Sequence, residues 1–253
     1  VCLTEETTET IYALGESHRI VGISGYTVRP KNARKEKPRI SSFISANIDK
    51  ILELKPDLVL GFSDIQADIS YDLIKRGIQV LCFNQRSINE IFQMILVVGS
   101  LVNKYQEASI LIDKYKKNIN KVKNKKRVKN PKVYFEEWDD PLISGIGWVS
   151  ELIEIAGGKD IFSELRSKKS AKERFVNSEM VIERKPDIII ASWCGKKVNK
   201  DKIILRKNWG GIPAVKNNKI YEVKSSIILQ PGPACLTDGL SQIVEIIDEF
   251  NHE

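Results

Sequence analysis

Two stretches of the chain repeat the same order of apolar and polar positions. The first is Asp49-Lys50-Ile51-Leu52-Glu53-Leu54-Lys55-Pro56-Asp57-Leu58-Val59-Leu60. The second, 130 positions on, is Glu179-Met180-Val181-Ile182-Glu183-Arg184-Lys185-Pro186-Asp187-Ile188-Ile189-Ile190. They match class for class at all but one or two positions, without a gap. Each reads as a short helix opened by a carboxylate, which suits the positive helix end. Ile51-Leu52 and Val181-Ile182 form its inner face, and Pro56 or Pro186 stops it. The apolar triplets that follow, Leu58-Val59-Leu60 and Ile188-Ile189-Ile190, are short and carry no polar alternation. A parallel strand covered on both faces has that pattern.

A weaker echo lies upstream of each copy. Thr8 to Gly15 parallels Ser150 to Gly157, and both read as helices closed by glycine. Val1-Cys2-Leu3 reads as the middle of a strand. The shared order is strand, helix with terminal Gly, strand, short helix, Lys-Pro-Asp, strand, so the chain is a duplicated unit. Between the copies the apolar positions Ile91, Ile95, Val98, Val102, Tyr105, Ile112, Tyr115, Ile119 and Val122 keep a helical period. They predict one helix from Ser87 to Lys125, about 55 Å long, with Gly99 as its weak point. A strand from Lys132 to Glu137 restarts the second half, and a helix from Thr237 to Phe250 ends it. The fold class is α/β: two Rossmann-like lobes with parallel-type sheets, residues 1–86 and 130–253, joined by one backbone helix within 87–129. Ligands favour interdomain clefts and the carboxyl ends of parallel strands, so the two halves are expected to close on a ligand held between them.

Composition adds little to this and removes several alternatives. The 253 residues are 42% apolar and 29% charged, an ordinary globular balance. No apolar run reaches the length of a membrane-spanning helix. The net charge is +7, but the excess is local. Ten Lys or Arg lie from Lys104 to Lys129, opposed only by Glu107 and Asp113. Without interleaved aromatics for base stacking, the stretch reads as a solvated helix face, and no nucleic-acid partner is expected. Cys2, Cys82, Cys194 and Cys235 form no C-x-x-C pair, sit in or beside apolar runs, and read as small hydrophobes. Val1-Cys2-Leu3 suggests a processed or trimmed start, which leaves open whether a export signal precedes it.

Enzyme chemistry is poorly supported. His18 and His252 are the only histidines and have no ligand set around them, so no metal site and no His-based triad is expected. Gly145-Ile146-Gly147-Trp148-Val149-Ser150 approaches a dinucleotide fingerprint. Its third glycine is a serine, however, and Trp148 stands where a pyrophosphate needs open backbone. Glu136-Glu137 and Asp139-Asp140 could hold a cation, but they read better as a strand end and a turn. No enzyme activity and no cofactor are expected.

Aromatics at strand ends and loops mark the candidate ligand site. Tyr26, Phe43 and Phe62 come from the first lobe, and Trp138, Trp148 and Trp193 from one edge of the second. Such a set suits a ligand with broad apolar faces. The rigid turn at Gln230-Pro231 lines the same edge. Gln85, Arg86 and Arg29 are the polar candidates of the first lobe.

With the Lys-Pro-Asp pair and the strut helix, two further stretches complete a recognisable pattern: Pro141-Leu142-Ile143-Ser144-Gly145 and Ile155-Ala156-Gly157-Gly158-Lys159-Asp160-Ile161-Phe162. The chain resembles, over nearly its whole length, the class III substrate-binding proteins of cobalamin and ferric-siderophore ABC importers, the cobalamin-binding members most closely. The resemblance implies two α/β lobes that close little on binding. It implies cobalamin or another corrinoid as ligand, with a ferric siderophore or haem as the alternative. It implies an ABC importer permease as partner, a monomer, and a place in the periplasm or on the outer face of the cytoplasmic membrane. Asp49 and Glu179 match the acidic residues that pair with permease arginines in the family, Asp49 being one methylene shorter than the usual Glu. Phe43 matches the first-lobe aromatic that contacts the corrin. Ser226 and Gln230 stand where the cobalamin proteins have an acidic and a basic ligand contact.

Overall fold

The computed structural model describes residues 1–252 and divides them into two units. One unit holds residues 1–85, 89–114 and 232–234; the other holds 86–88, 115–231 and the chain from Cys235 onward.

The first unit is a parallel sheet built around the chain's opening residues. Cys2 bridges Ile23 on one side and Leu60 on the other, so Val1-Cys2-Leu3 runs as an extended segment at the centre, in line with the strand its apolar triplet predicted. The Leu3 N–H donates to the Leu60 carbonyl at 2.8 Å and the Cys2 N–H to that of Gly22 at 3.0 Å. Outward on one side lie β1 (Ile23–Ser24) and β2 (Arg39–Ser41). On the other lie β3 (Val59–Phe62) and β4 (Val80–Phe83), in parallel register from Val59↔Val80 to Phe62↔Phe83. The chain thus winds one way from the centre and then returns on the other side, reversing between Val1–Leu3 and β3. Leu3, Ile40, Ile51, Val59, Ile69 and Leu73 fill its core.

The second unit carries the longer sheet. β5 (Lys132–Asp139) pairs in parallel with β7 (Lys159–Asp160) and with β8 (Ile188–Ala191), and β8 with β9 (Ile220–Glu222). β6 (Leu142–Ser144) is antiparallel to β5, so this parallel-type sheet is mixed at one edge. Asp139 and Leu142 pair directly, and the two residues between them are too few for a crossover, so a hairpin forms instead. Tyr134 meets Phe162 and Trp209 edge to face, at 5.7 and 6.3 Å between ring centroids. The last helix, Leu240–His252, is preceded by a π-turn over Cys235–Gly239.

The strut is not one helix. It is Ile88–Leu101 followed by Tyr105–Lys123, interrupted at Asn103, whose φ is 60°. Gly99, read from sequence as a weak point, is where the start of the second helix leans on the first. A Cβ there would lie 2.5 Å from the Ala108 Cβ and 3.0 Å from the Lys104 carbonyl oxygen. Ala108, Ile112, Tyr115 and Ile119 are buried, whereas Lys114, Lys116, Lys117, Lys121 and Lys123 are exposed. Within this helix the basic residues form a solvated face; beyond it Lys125 and Arg127 pair with Asp248.

The repeat is visible in the backbone as well as in the sequence. The two short helices are Ile48–Glu53 and Ser178–Arg184. Asn47 caps the first by accepting the Lys50 N–H at 2.9 Å, and Asn177 caps the second by accepting the Met180 N–H at 2.9 Å. Side-chain acceptors of this kind satisfy one of the free N–H groups of a helix start. Both helices then run into a lysine in the left-handed region, Lys55 at φ 46° and Lys185 at φ 49°, just before the proline. The upstream helices Glu5–Ala13 and Gly147–Ile155 are closed by Gly15 and Gly157, at φ 77° and 91°.

Candidate functional site

The carboxyl end of β5 and the loop after β8 build a dense polar and aromatic edge within the second unit. Glu136 is fully buried. It accepts the Trp193 indole N–H at 3.0 Å and both terminal nitrogens of Arg206, at 2.5 and 2.9 Å. Burial, and then the Glu136 charge, push the Tyr134 hydroxyl well above its ordinary pKa. Three residues on, Asp139 accepts Lys196 at 2.6 Å on one oxygen and Lys202 at 2.5 Å on the other. Burial raises the Asp139 carboxyl, but the two ammonium groups outweigh it and hold the pKa below its ordinary value. The Lys196 ammonium lies 4.1 Å from the Trp138 ring centroid and 4.9 Å from that of Trp193. Glu137 takes a two-pronged contact from Arg174, at 2.6 and 2.9 Å. Each of these three carboxylates is thus matched by cations of the protein. Among the described residues no group of His, Cys, Asp and Glu could hold a metal ion.

The aromatic candidates separate by exposure. Trp138 is half-buried, its indole N–H on the Asp140 carbonyl at 2.9 Å. Trp193 is 3% exposed and is anchored on Glu136. Trp148 is 2% exposed, inside the helix Gly147–Ile155, with its N–H on the Ile228 carbonyl at 2.9 Å. The expected open edge of three tryptophans is narrower, because a strand end or helix start can still point into a core. In the first unit Tyr26 is exposed, Phe43 is half-buried, and Phe62 and Gln85 are buried. Arg86 is half-buried and donates to the Lys169 carbonyl at 3.2 Å, and Arg29 pairs with Glu9 at 2.9 Å. Gln230 is half-buried and Pro231 buried. The turn's Gly232 belongs to the first unit, where a Cβ would sit 2.5 Å from the Glu6 Cβ. Cys2 and Cys235 are buried, as suits small hydrophobes, whereas Cys82 and Cys194 are exposed and depart from that reading.

The Gly145 loop has no room for a pyrophosphate at Gly147. A Cβ there would lie 2.2 Å from the Arg86 carbonyl oxygen and 3.0 Å from that of Arg166, so the close approach serves backbone packing. Two carbonyl oxygens would also repel a phosphate.

Asp49 and Glu179 are both exposed, each in the first turn of its Asn-capped helix. Arg76 approaches Asp49 to 3.7 Å across solvent.

Sequence reasoning missed the cations that complete the polar scaffold behind the tryptophans, and also a buried acidic pair. The run Trp193-Cys194-Gly195-Lys196-Lys197 carried the signal for the first. Glu5 and Glu6 open the first helix, at the carboxyl end of the central extended segment, and are 5% and 1% exposed. Burial pushes the Glu5 carboxyl up to about 7 and that of Glu6 to about 8, although Thr4 donates to Glu6 at 2.7 Å. Glu5 Oε2 is buried without a hydrogen-bond partner among the described residues.

Comparison with known proteins agrees with this architecture. The family model described as periplasmic binding protein matches residues 1–227. An uncharacterized ABC transporter substrate-binding lipoprotein of Bacillus subtilis (strain 168), YvrC, is 25% identical over 98% of this chain and 79% of its own length. A vitamin B12-binding protein of Yersinia pestis (strain Pestoides F) is 26% identical over 79% of this chain and 71% of its own. The crystal structure of a possible iron-binding (periplasmic solute-binding) protein of Staphylococcus epidermidis ATCC 12228 superimposes with a TM-score of 0.81. It is 26% identical, with 98% of this chain and 97% of that one covered. The chain belongs to the periplasmic binding protein family: it is a substrate-binding protein of the ABC-importer type, and not an enzyme.

Proposed function

We propose that this protein captures a corrinoid, cobalamin in the first instance, and delivers it to the permease of an ABC importer on the outer face of the cytoplasmic membrane. The observation that carries the delivery role is the repeated Asn-capped helix. In both units a short helix with the same cap and the same left-handed lysine presents one exposed carboxylate, Asp49 or Glu179. Duplicated, solvated acids on matching elements suit pairing with basic residues of a membrane partner. For the ligand, the supports are the likeness to the Yersinia vitamin B12-binding protein and the aromatic positions Tyr26, Phe43 and Trp138, whose rings are not fully enclosed. The proposed ligand set is completed by Phe62, Trp148 and Trp193, with Gln85, Arg86, Gln230 and Pro231 as its polar and rigid members. Titration with cyanocobalamin, followed by tryptophan quenching or calorimetry, is expected to saturate near or below micromolar. Failure of every corrinoid to bind removes the ligand and leaves the family standing. Asp49→Lys with Glu179→Lys is expected to keep that affinity and to lose uptake in vesicles carrying the permease.

The alternative is a ferric siderophore or haem on the same scaffold, in line with the possible iron-binding relative. That reading leans on cationic contacts. Arg29 and Arg86 already have partners, Glu9 and the Lys169 carbonyl. An iron chelate whose affinity is untouched by Arg86→Ala would count against it.

A further inference from the structure

In the second unit the Lys196 ammonium group lies over two indole rings. It lies 4.1 Å from the Trp138 ring and 4.9 Å from the Trp193 ring, with Asp139 Oδ1 at 2.6 Å. Its side chain remains 42% exposed, whereas that of Asp139 is 1% exposed. Asp139 is shared: Lys202 occupies its other oxygen at 2.5 Å. Two ammonium charges against one carboxylate leave the cluster one positive charge in excess. Its neighbour Glu136 is cancelled separately, by Arg206.

An ammonium has three donors. Asp139 takes one, and the ring faces beside it attract the cation without accepting a hydrogen bond along the chain axis. A lysine is normally a poor recognition group, because a long flexible stem must be ordered on binding. Here the salt bridge and the two rings order it in advance, and the exposed part of its head keeps donors for a guest. The cluster sits at the carboxyl end of parallel strands, where α/β folds place their ligands. We propose that Lys196 reads an oxyanion carried by a flat ligand that stacks on the Trp138 edge. The oxyanion is a phosphodiester if the ligand is a corrinoid and a carboxylate if it is a porphyrin. The inference deepens the proposed function and rests on its placing of the ligand at this edge.

The test uses ligand pairs in which one member lacks the free oxyanion, and it compares what a Lys196 variant does to each member of a pair. Cyanocobalamin carries a phosphodiester in its nucleotide loop, and dicyanocobinamide is a corrin without it. Haemin carries two propionates, and its dimethyl ester has them blocked. Lys196→Met keeps the apolar stem and removes the charge; Lys196→Arg keeps the charge. Lys196→Met is expected to weaken cyanocobalamin at least ten-fold, to change dicyanocobinamide less than two-fold, and to flatten the salt dependence of the first. Lys196→Arg should restore most of the loss. Equal weakening of both corrins would mean that the indole platform has shifted, and no weakening would mean that Lys196 serves Asp139 alone; each result overturns the inference. If neither corrin binds the natural chain, the corrinoid reading fails on its own. The haemin pair then decides, and a chain whose Lys196→Met variant discriminates in neither pair refutes the oxyanion role.

Discussion

Glu5 and Glu6 make the stability of this protein depend on pH in an unusual direction. Both carboxyls ordinarily ionise near 4.5. In the folded chain burial raises them to about 7 and about 8. A raised carboxyl means that the folded state holds a proton which the unfolded chain has released. The stabilisation is whole below about pH 4.5 and drains away as pH climbs through the two folded values. Each pH unit inside that window costs about 1.4 kcal/mol per carboxyl. Going from pH 5 to pH 8 therefore removes on the order of 3 kcal/mol for each group. At about 2–4 °C per kcal/mol for a chain of this size, the midpoint of thermal unfolding should fall by on the order of 10–20 °C. Scanning calorimetry at pH 5, 6, 7 and 8 measures it. Glu5→Gln with Glu6→Gln supplies the control. The amides fill the same space, keep an acceptor for the Thr4 hydroxyl and do not titrate, so the double variant should lose most of that fall. A natural chain whose midpoint is flat from pH 5 to 8, or a double variant that falls as steeply, refutes the argument.

Two other expectations follow from packing and capping. Gly99→Ala forces a methyl against Ala108 and the Lys104 carbonyl, and should cost about 1–3 kcal/mol in urea unfolding, against the gain alanine normally gives inside a helix. Asn47→Ala and Asn177→Ala each remove one cap and should each cost about 1 kcal/mol, near-equal values being the energetic echo of the duplication.

The duplicated frame was legible because its signals are local. The Lys-Pro-Asp units, the apolar triplets and the glycines that close helices all act within a few residues, and the structure repeats them down to the sign of φ at Lys55 and Lys185. The break of the strut at Asn103 was not legible. An apolar period continues across a break when both helices bury a face, and the close approach of Gly99 to Ala108 beside the break is a contact that the period does not reveal. The aromatic edge was half legible. Sequence placed Trp138 and Trp193 at neighbouring strand ends, but exposure is decided by distant partners: Ile228 for Trp148, Arg206 and Glu136 for Trp193. The acids at the end of β5 were visible as a cluster. The cations that match them come from 37 to 70 positions away, beyond any local pattern.

The left-handed lysines say something about how freely the repeat can vary. A left-handed lysine costs about 1–2 kcal/mol relative to the right-handed region, and glycine would escape that. Glycine, however, surrenders about 0.5–1 kcal/mol of chain freedom on folding. It would also withdraw a cation from the negative end of the helix, where it contributes about 0.3–1 kcal/mol. The opposing terms nearly cancel. An exchange of lysine for glycine at position 55 or 185 is therefore close to thermodynamically silent and leaves the turn's shape intact. The prolines at 56 and 186, which deny the helix its next turn, are the hinge-pins on which both copies of the motif hang.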